Sequence, residues 1–458
     1  MRTLLFYVFL LAPFALAAQG IQFETGNWNS VLAKAQKEKK LIYVDVYTTW
    51  CGPCKMLEKN IFPQKEAGDK YNALFVNYRL DAEKGEGIAF AKQYEVSGYP
   101  TNLFIDPENE KVVYRIMGAP MEVSGFNANA DVALAEQKDP MTLQRYEEEF
   151  AKGNRNPEFL EKYLEKTQRL DADNDVILDA YVATLDTKNL SDSDVYYLSD
   201  NVRTIYNSAV PLLYEYREVM ARRYPDNDYG SFENRLERWL YPSVEKAARE
   251  KNEQKLRDLE AAIRRYKPED ANSSIFFYRK EYYDATGNAK KSQEVALEEV
   301  NYLAGLSLSD FKAQDEKELE KMRSIIRHQL SQMTLPEGAN IDTIIEQNIA
   351  PNAIGLPSVR SANTLNDAAW KVYEDKKADK AQLEQAMQWA QKAMEFSKPY
   401  PHFWPSYTDT YAALLYRSGQ KEAAIKIEEQ AWQTAKSVKS DDAEAYQKTL
   451  KKMKEGKF

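Results

Sequence analysis

The sequence predicts an N-terminal α/β domain followed by an all-α domain built from helical hairpins. Three observations lead to that reading. Up to Lys138, short β-branched and aromatic runs alternate with amphipathic stretches of helical period. After Pro140 strand-like runs almost vanish, and apolar residues recur at helical spacing to the end of the chain. The length, 458 residues, exceeds what one hydrophobic core ordinarily serves, which fits two domains.

Residues 27–40 are rich in helix formers, with apolar positions on one side and a lysine cluster at the end. Leu41-Ile42-Tyr43-Val44-Asp45-Val46-Tyr47 reads as a strand that carries one acid among apolar neighbours. Trp50-Cys51-Gly52-Pro53-Cys54 follows, and a helix begins there, with Pro53 tolerated in a first turn whose N–H groups are unpaired anyway. Residues 73–80 read as a second strand and 87–94 as a helix. Residues 101–105 and 111–116 form a hairpin around Asp106-Pro107-Glu108-Asn109, and 120–137 form the last helix of this part. The predicted domains are therefore 18–138 and 139–458. In the second, Pro157, Pro211, Pro242 and Pro268 are expected at helix starts or stops.

The N-terminus reads as an export leader. Arg2 supplies positive charge, residues 4–16 are almost wholly apolar, and Ala15-Leu16-Ala17 presents small residues where a signal peptidase cuts, before Ala18. The apolar run is shorter than the roughly 20 residues that span a bilayer, and Pro13 interrupts it, so no stable membrane insertion is expected after removal of residues 1–17. The expected location is periplasmic in a Gram-negative source and extracellular otherwise. Charged residues make up 29% and the net charge is −9, with no basic run able to track a phosphate backbone. Nucleic acid is accordingly not expected as a partner.

Export governs how the cysteines are read. An oxidising compartment favours disulfides, yet the chain holds two cysteines only, Cys51 and Cys54. Closing so small a loop removes little entropy from the unfolded chain, so the pair is a poor staple. Its chemistry is better explained by position. At a helix N-terminus the unpaired N–H groups and the helix dipole favour a thiolate, which lowers the Cys51 pKa below the free value of about 8.5. Cys54 lies one turn on and can attack a mixed disulfide formed at Cys51. Zinc wants four ligands, and the remaining candidates, His328 and His402, lie far off in the helical region. Haem attachment would need His at position 55, which is Lys. No metal or other cofactor is expected.

Trp50-Cys51-Gly52-Pro53-Cys54-Lys55 resembles the thioredoxin active-site hexapeptide, and Tyr94-x-Val96-x-Gly98-Tyr99-Pro100-Thr101 resembles the thioredoxin segment that carries a cis-proline facing it. The resemblance spans about 20–138 and implies a thioredoxin-like fold for the first domain. It further implies that Cys51 attacks, that Cys54 resolves, and that Asp45 takes the proton from Cys54, its pKa raised by burial. Pro100 would shape the groove in which an extended peptide lies, and Trp50 and Tyr99 would line it, although core packing explains either ring almost as well. Gly118 resembles a glycine that lets substrate backbone approach. Gly52 and Pro53, which tune the potential, match the reducing end of a range from about −270 mV for thioredoxin to about −120 mV for a strong oxidant. One departure stands out. The lysine that thioredoxins place near the buried acid is missing, and Asn77 or Arg79 occupies that region. The acidic, glycine-containing stretch 81–87 is also longer than the family's usual connection.

The C-terminal region resembles tetratricopeptide hairpins, at 364–436 and again at 272–306 with a turn at Gly287. The spacing from Ala386 to Ala424 exceeds the family's period of about 34 residues, and an irregular bundle fits the pattern equally well. The extension resembles those on exported thioredoxin-like proteins of Gram-negative bacteria. Two functions follow. One is an exported thiol–disulfide oxidoreductase that reduces or isomerises disulfides in client proteins, recharged by an electron-donor redox partner. The alternative is a helical-repeat binding or scaffold protein whose redox pair is regulatory or vestigial.

Overall fold

The computed structural model describes residues 20–96, 98–224, 228–333 and 340–458, without the side chains of residues 350 and 351. The export leader lies outside the described residues. The first elements are helix α1 (Trp28–Glu38), strand β1 (Leu41–Tyr47) and helix α2 (Gly52–Met56), which runs on into a π turn (Leu57–Ile61). Then come α3 (Lys65–Leu74), β2 (Phe75–Asp81), α4 (Glu86–Gln93), β3 (Thr101–Ile105), β4 (Val112–Met117) and α5 (Val123–Lys138). The sheet order is β2-β1-β3-β4, with β1 parallel to β2 and antiparallel to β3, and β3 antiparallel to β4.

Strand parity decides what lies on each face of this sheet. Ile42, Val44 and Val46 pack with Val76, Tyr78, Leu80 and the buried residues of α1 and α4. Leu41 and Tyr43 point the other way, onto Leu57, Ile61, Tyr71 and Phe126 from the active-site helix, α3 and α5. Asp45 shares parity with Leu41 and Tyr43, which puts it on the face where the cysteine-bearing helix packs. The predicted second strand starts later than expected, because residues 73 and 74 complete the last turn of α3, whose buried side is made by Ala67, Gly68 and Tyr71.

From Lys138 on, every regular element among the described residues is helical, starting with α6 (Leu143–Ala151) and α7 (Pro157–Arg169). Pro157 opens its helix and Pro268 opens a short 3-10 turn, but Pro242 lies inside the helix Phe232–Arg249. The residue after it joins this helix to the preceding segment. Ser243 Oγ donates to the Trp239 carbonyl at 2.5 Å and accepts the Ile205 N–H at 2.9 Å.

By compactness the chain divides into two units. One runs to Lys246 and takes in Arg257–Ala262; the other comprises Ala247–Leu256 and Ile263–Phe458. Within the first, buried Lys166 of α7 donates to Glu136 of α5 and, at 2.8 Å, to Asp139, while Arg169 reaches Glu136 at 3.0 Å. The sheet domain is thus tied to the first helices after it by an ion network whose central pair, Lys166 and Glu136, is buried while Asp139 and Arg169 lie at its edge. In the second unit the helices Ala271–Ala285 and Ala289–Ala304 turn at Gly287, whose φ of +73° suits glycine. Pro357–Glu374 pairs with Lys380–Ser397, and Trp404–Arg417 with Lys421–Ser437. Alanines 362, 369, 386, 390 and 393 are wholly buried where the helices meet, which lets the backbones approach closely. Among the described residues no helix is long and apolar enough to cross a membrane.

Candidate active site

The site is assembled where β1 ends and α2 begins. Cys51 is the N-cap of α2, with Gly52 and Pro53 in the first turn, where proline's missing N–H leaves no helical bond unmade. Cys51 and Cys54 are joined as a disulfide. The Cys54 N–H donates to Cys51 Sγ at 3.0 Å, so the sulfur occupies the position that a capping oxygen usually takes. The Cys51 N–H is held by the Thr48 carbonyl at 3.3 Å. In this oxidised form burial does not separate the two sulfurs' residues: Cys51 is 3% exposed and Cys54 2%, whereas Gly52 and Pro53 between them are exposed.

Trp50 stands at the rim, 65% exposed, so it is no core residue. Its ring meets Tyr99 edge-on at 6.0 Å between centroids, and its Nε1–H donates to Glu83 at 2.9 Å. The long acidic connection after β2 therefore delivers a carboxylate to the rim of the site. Burial and then the nearby carboxylates Glu83 and Asp81 push the Tyr99 hydroxyl pKa up.

The Tyr99–Pro100 peptide is cis. The Pro100 carbonyl accepts the Gly118 N–H at 2.8 Å, which ties the proline loop to the end of β4. Gly118 has φ +92°, a conformation that glycine adopts without strain, and a Cβ there would meet nothing within 4 Å. At Gly98 a Cβ would stand 2.9 Å from Sδ of the flexible, half-exposed Met117 side chain. The nine residues singled out from the sequence thus fall into two neighbouring groups: Asp45, Trp50, Cys51, Gly52, Pro53 and Cys54 along β1 and α2, and Tyr99, Pro100 and Gly118 on the proline loop and the end of β4. Trp50 against Tyr99 joins them.

Asp45 is fully buried. Burial raises its carboxyl from the ordinary 3.8 to about 6, against the pull of Arg79, with a smaller upward push from Glu58. Arg79 is its register partner on β2, and Arg79 Nε donates to Asp45 Oδ2 at 2.9 Å. This settles which residue faces the acid. Asn77 turns instead to the Gln22 carbonyl and to Asn72. Glu83, Glu58 and Thr48 were not singled out from the sequence. For Glu58 the available signal was its place one turn after Cys54; the other two announce themselves by no motif.

Residues 20–124 match the family model described as Thioredoxin. A thiol:disulfide interchange protein DsbD of Pseudoalteromonas atlantica is 32% identical over 105 residues, which cover 23% of this chain and 18% of that protein. Thioredoxin-2 of Saccharomyces cerevisiae is 38% identical over 93 residues, 20% of this chain and 79% of that one. A proposed disulphide-isomerase of Bacteroides thetaiotaomicron, solved in solution, is 41% identical over 26% of this chain and 96% of its own, with a TM-score of 0.24. The chain therefore spans less than a fifth of the DsbD relative and about four fifths of the yeast thioredoxin. With a disulfide-bonded Cys-Gly-Pro-Cys at the head of α2 and a buried acid on the strand before it, the chain belongs to the thioredoxin family of thiol–disulfide oxidoreductases.

Proposed function

We propose that this protein is an exported thiol–disulfide oxidoreductase that reduces or isomerises disulfides in client proteins. The observation that carries the reading is the Cys51–Cys54 disulfide capping α2, with Cys51 Sγ receiving the Cys54 N–H. Once the disulfide is reduced, the same N–H and the helix dipole favour a thiolate at Cys51.

The cycle balances as follows. The Cys51 thiolate attacks a client disulfide; a mixed disulfide forms and one client thiolate leaves. Cys54 gives its proton to Asp45 and attacks Cys51 Sγ, the mixed disulfide breaks, and the second client thiolate departs. The client gains two electrons and Cys51–Cys54 is oxidised to the state seen here, so a dithiol donor must reduce it again. Pro100, Tyr99 and Gly118 would hold the client backbone, with Trp50 covering its apolar side chains. Export rests on the leader at 1–17, and the mass of the mature chain, beginning at Ala18, tests it. The paired helices of the second unit would serve as a platform for clients.

The deciding assay is insulin reduction by dithiothreitol with the full chain. Turnover above the uncatalysed rate, abolished in Cys51→Ser, supports the proposal; a rate equal to background rejects it. The family match ends at residue 124, and most of the chain is helical beyond it, which keeps a binding or scaffold role in view. That role requires Cys51→Ser to retain full function in cells.

A further inference from the structure

Where thioredoxins have a lysine, this chain has built a different device around its buried acid. The Arg79 guanidinium spans two elements: Nε donates to Asp45 Oδ2 at 2.9 Å, and Nη2 reaches Glu58 Oε2 at 3.5 Å. Its Cζ lies over three rings, with centroids at 4.5 Å for Tyr47, 5.2 Å for Phe62 and 5.5 Å for Phe23. Guanidinium stacks well on aromatic faces and is weakly hydrated, so such a cage fixes the plane of the fork. Glu58 lies one helical turn after Cys54 on the same continuous helix. The arginine therefore links the acid to the segment that carries the resolving cysteine. Asp45 Oδ1, by contrast, is buried with no hydrogen-bond partner. A buried carboxylate oxygen left unpaired is costly unless it has work to do.

We propose that Arg79 is the positioning residue for the proton acceptor: it occupies Oδ2 of Asp45 and leaves Oδ1 as the single site open to the Cys54 proton. This rests on the reading of Asp45 as that acceptor. A lysine could release a proton when buried; a guanidinium keeps its charge over the whole working range, so Arg79 orients and holds but never relays. The other groups facing Asp45 are few. Its own strand contributes Tyr43, whose hydroxyl is engaged by Asn102 at 2.5 Å, and Tyr47. Strand β3 supplies the neutral Asn102 as register partner, and the helix after Cys54 supplies Glu58. Arg79 is thus the one cation that the structure brings to the acid from these elements. Without it, burial and Glu58 act in the same direction, and both favour the protonated acid.

The test uses the reduced full chain and an aromatic disulfide, 5,5′-dithiobis(2-nitrobenzoic acid), in stopped flow. Attack by Cys51 releases one coloured thiolate, and resolution by Cys54 releases the second, so the two steps are read separately from pH 4.5 to 9. In Arg79→Gln the inflection of the second release should move up by about one pH unit or more, while the first release keeps its profile. Arg79→Lys, which retains a cation but loses the fork, should fall between, and it carries the test if the glutamine variant does not fold. Asp45→Asn should remove the inflection. If the arginine variants and the parent superimpose while Asp45→Asn still removes the inflection, the proposal for Arg79 is overturned and the acceptor reading stands. If Asp45→Asn leaves the parent profile intact, the acceptor reading fails and Arg79 with it.

Discussion

Replacing Asp45 with asparagine should stabilise the sheet domain above pH 6 and change it little at pH 4 and below. The carboxyl rises from 3.8 to about 6 on folding because it is fully buried, so the folded state binds its proton more tightly than the unfolded chain does. At about 1.36 kcal/mol per unit, a rise of roughly two units corresponds to about 3 kcal/mol. The sign follows from linkage. Well below pH 4 the acid is protonated in both states and resembles the amide, with Arg79 facing a neutral group in either protein. As pH climbs from about 4 to about 6 the unfolded chain ionises first, and the parent loses stability relative to the variant. Above about 6 the gap is constant. Urea unfolding of the full chain, pulse-labelled with deuterium and read on peptides covering β1 and β2, isolates this domain from the second unit. A gap of the same size at pH 4 and pH 8 would refute the reasoning, because it would mean that the buried carboxylate carries no ionisation penalty.

Two further substitutions probe the parts outside the redox site. Lys166→Met leaves Glu136 with Arg169 alone and strips Asp139 of its cation; breaking a buried pair in this way should cost about 3 kcal/mol, seen as a lower thermal midpoint of the first unit. In the helix Lys421–Ser437, burial, and next the neighbouring Asp409, push the Glu428 carboxyl well above its ordinary range. Its folded-state proton is held above the ordinary carboxylate range, so stability drains away as pH rises above the unfolded carboxyl's 4.5. Glu428→Gln should shrink that slope without abolishing it, because burial raises the neighbouring Asp409 carboxyl as well, and circular dichroism melts at pH 5 and pH 8 should show the variant's advantage growing with pH.

The extent to which the site was legible varies residue by residue. Cys51, Gly52, Pro53 and Cys54 declare themselves because the chemistry needs a cap, a first turn and a second thiol in consecutive positions. Asp45 shows as an acid in an apolar strand, and strand parity alone puts it on the face of Tyr43. Which side chain would meet it was open between Asn77 and Arg79, since both lie on the same face of β2. The register pairing Asp45 with Arg79 decides it, and no local pattern encodes register. Glu83 is a similar case. Its carboxylate caps the Trp50 indole only because a loop after β2 folds back over the end of β1. Pro242 misled because local propensity treats proline as a helix end, whereas tertiary packing carries the helix through it.

By itself the sequence determined the alternation of strands and helices to Lys138, the all-helical remainder and the position of the two sulfurs at a helix start. These follow from the side-chain period and from the chemistry of adjacent residues, both of which are local. Only the tertiary structure decided that Arg79 faces Asp45 within a cage of three rings, that Lys166 ties α7 to α5, and that Glu83 reaches the rim. Each of those depends on residues distant in the chain meeting at a distance of a few ångströms, which is fixed by sheet register and helix packing rather than by any pattern along the chain.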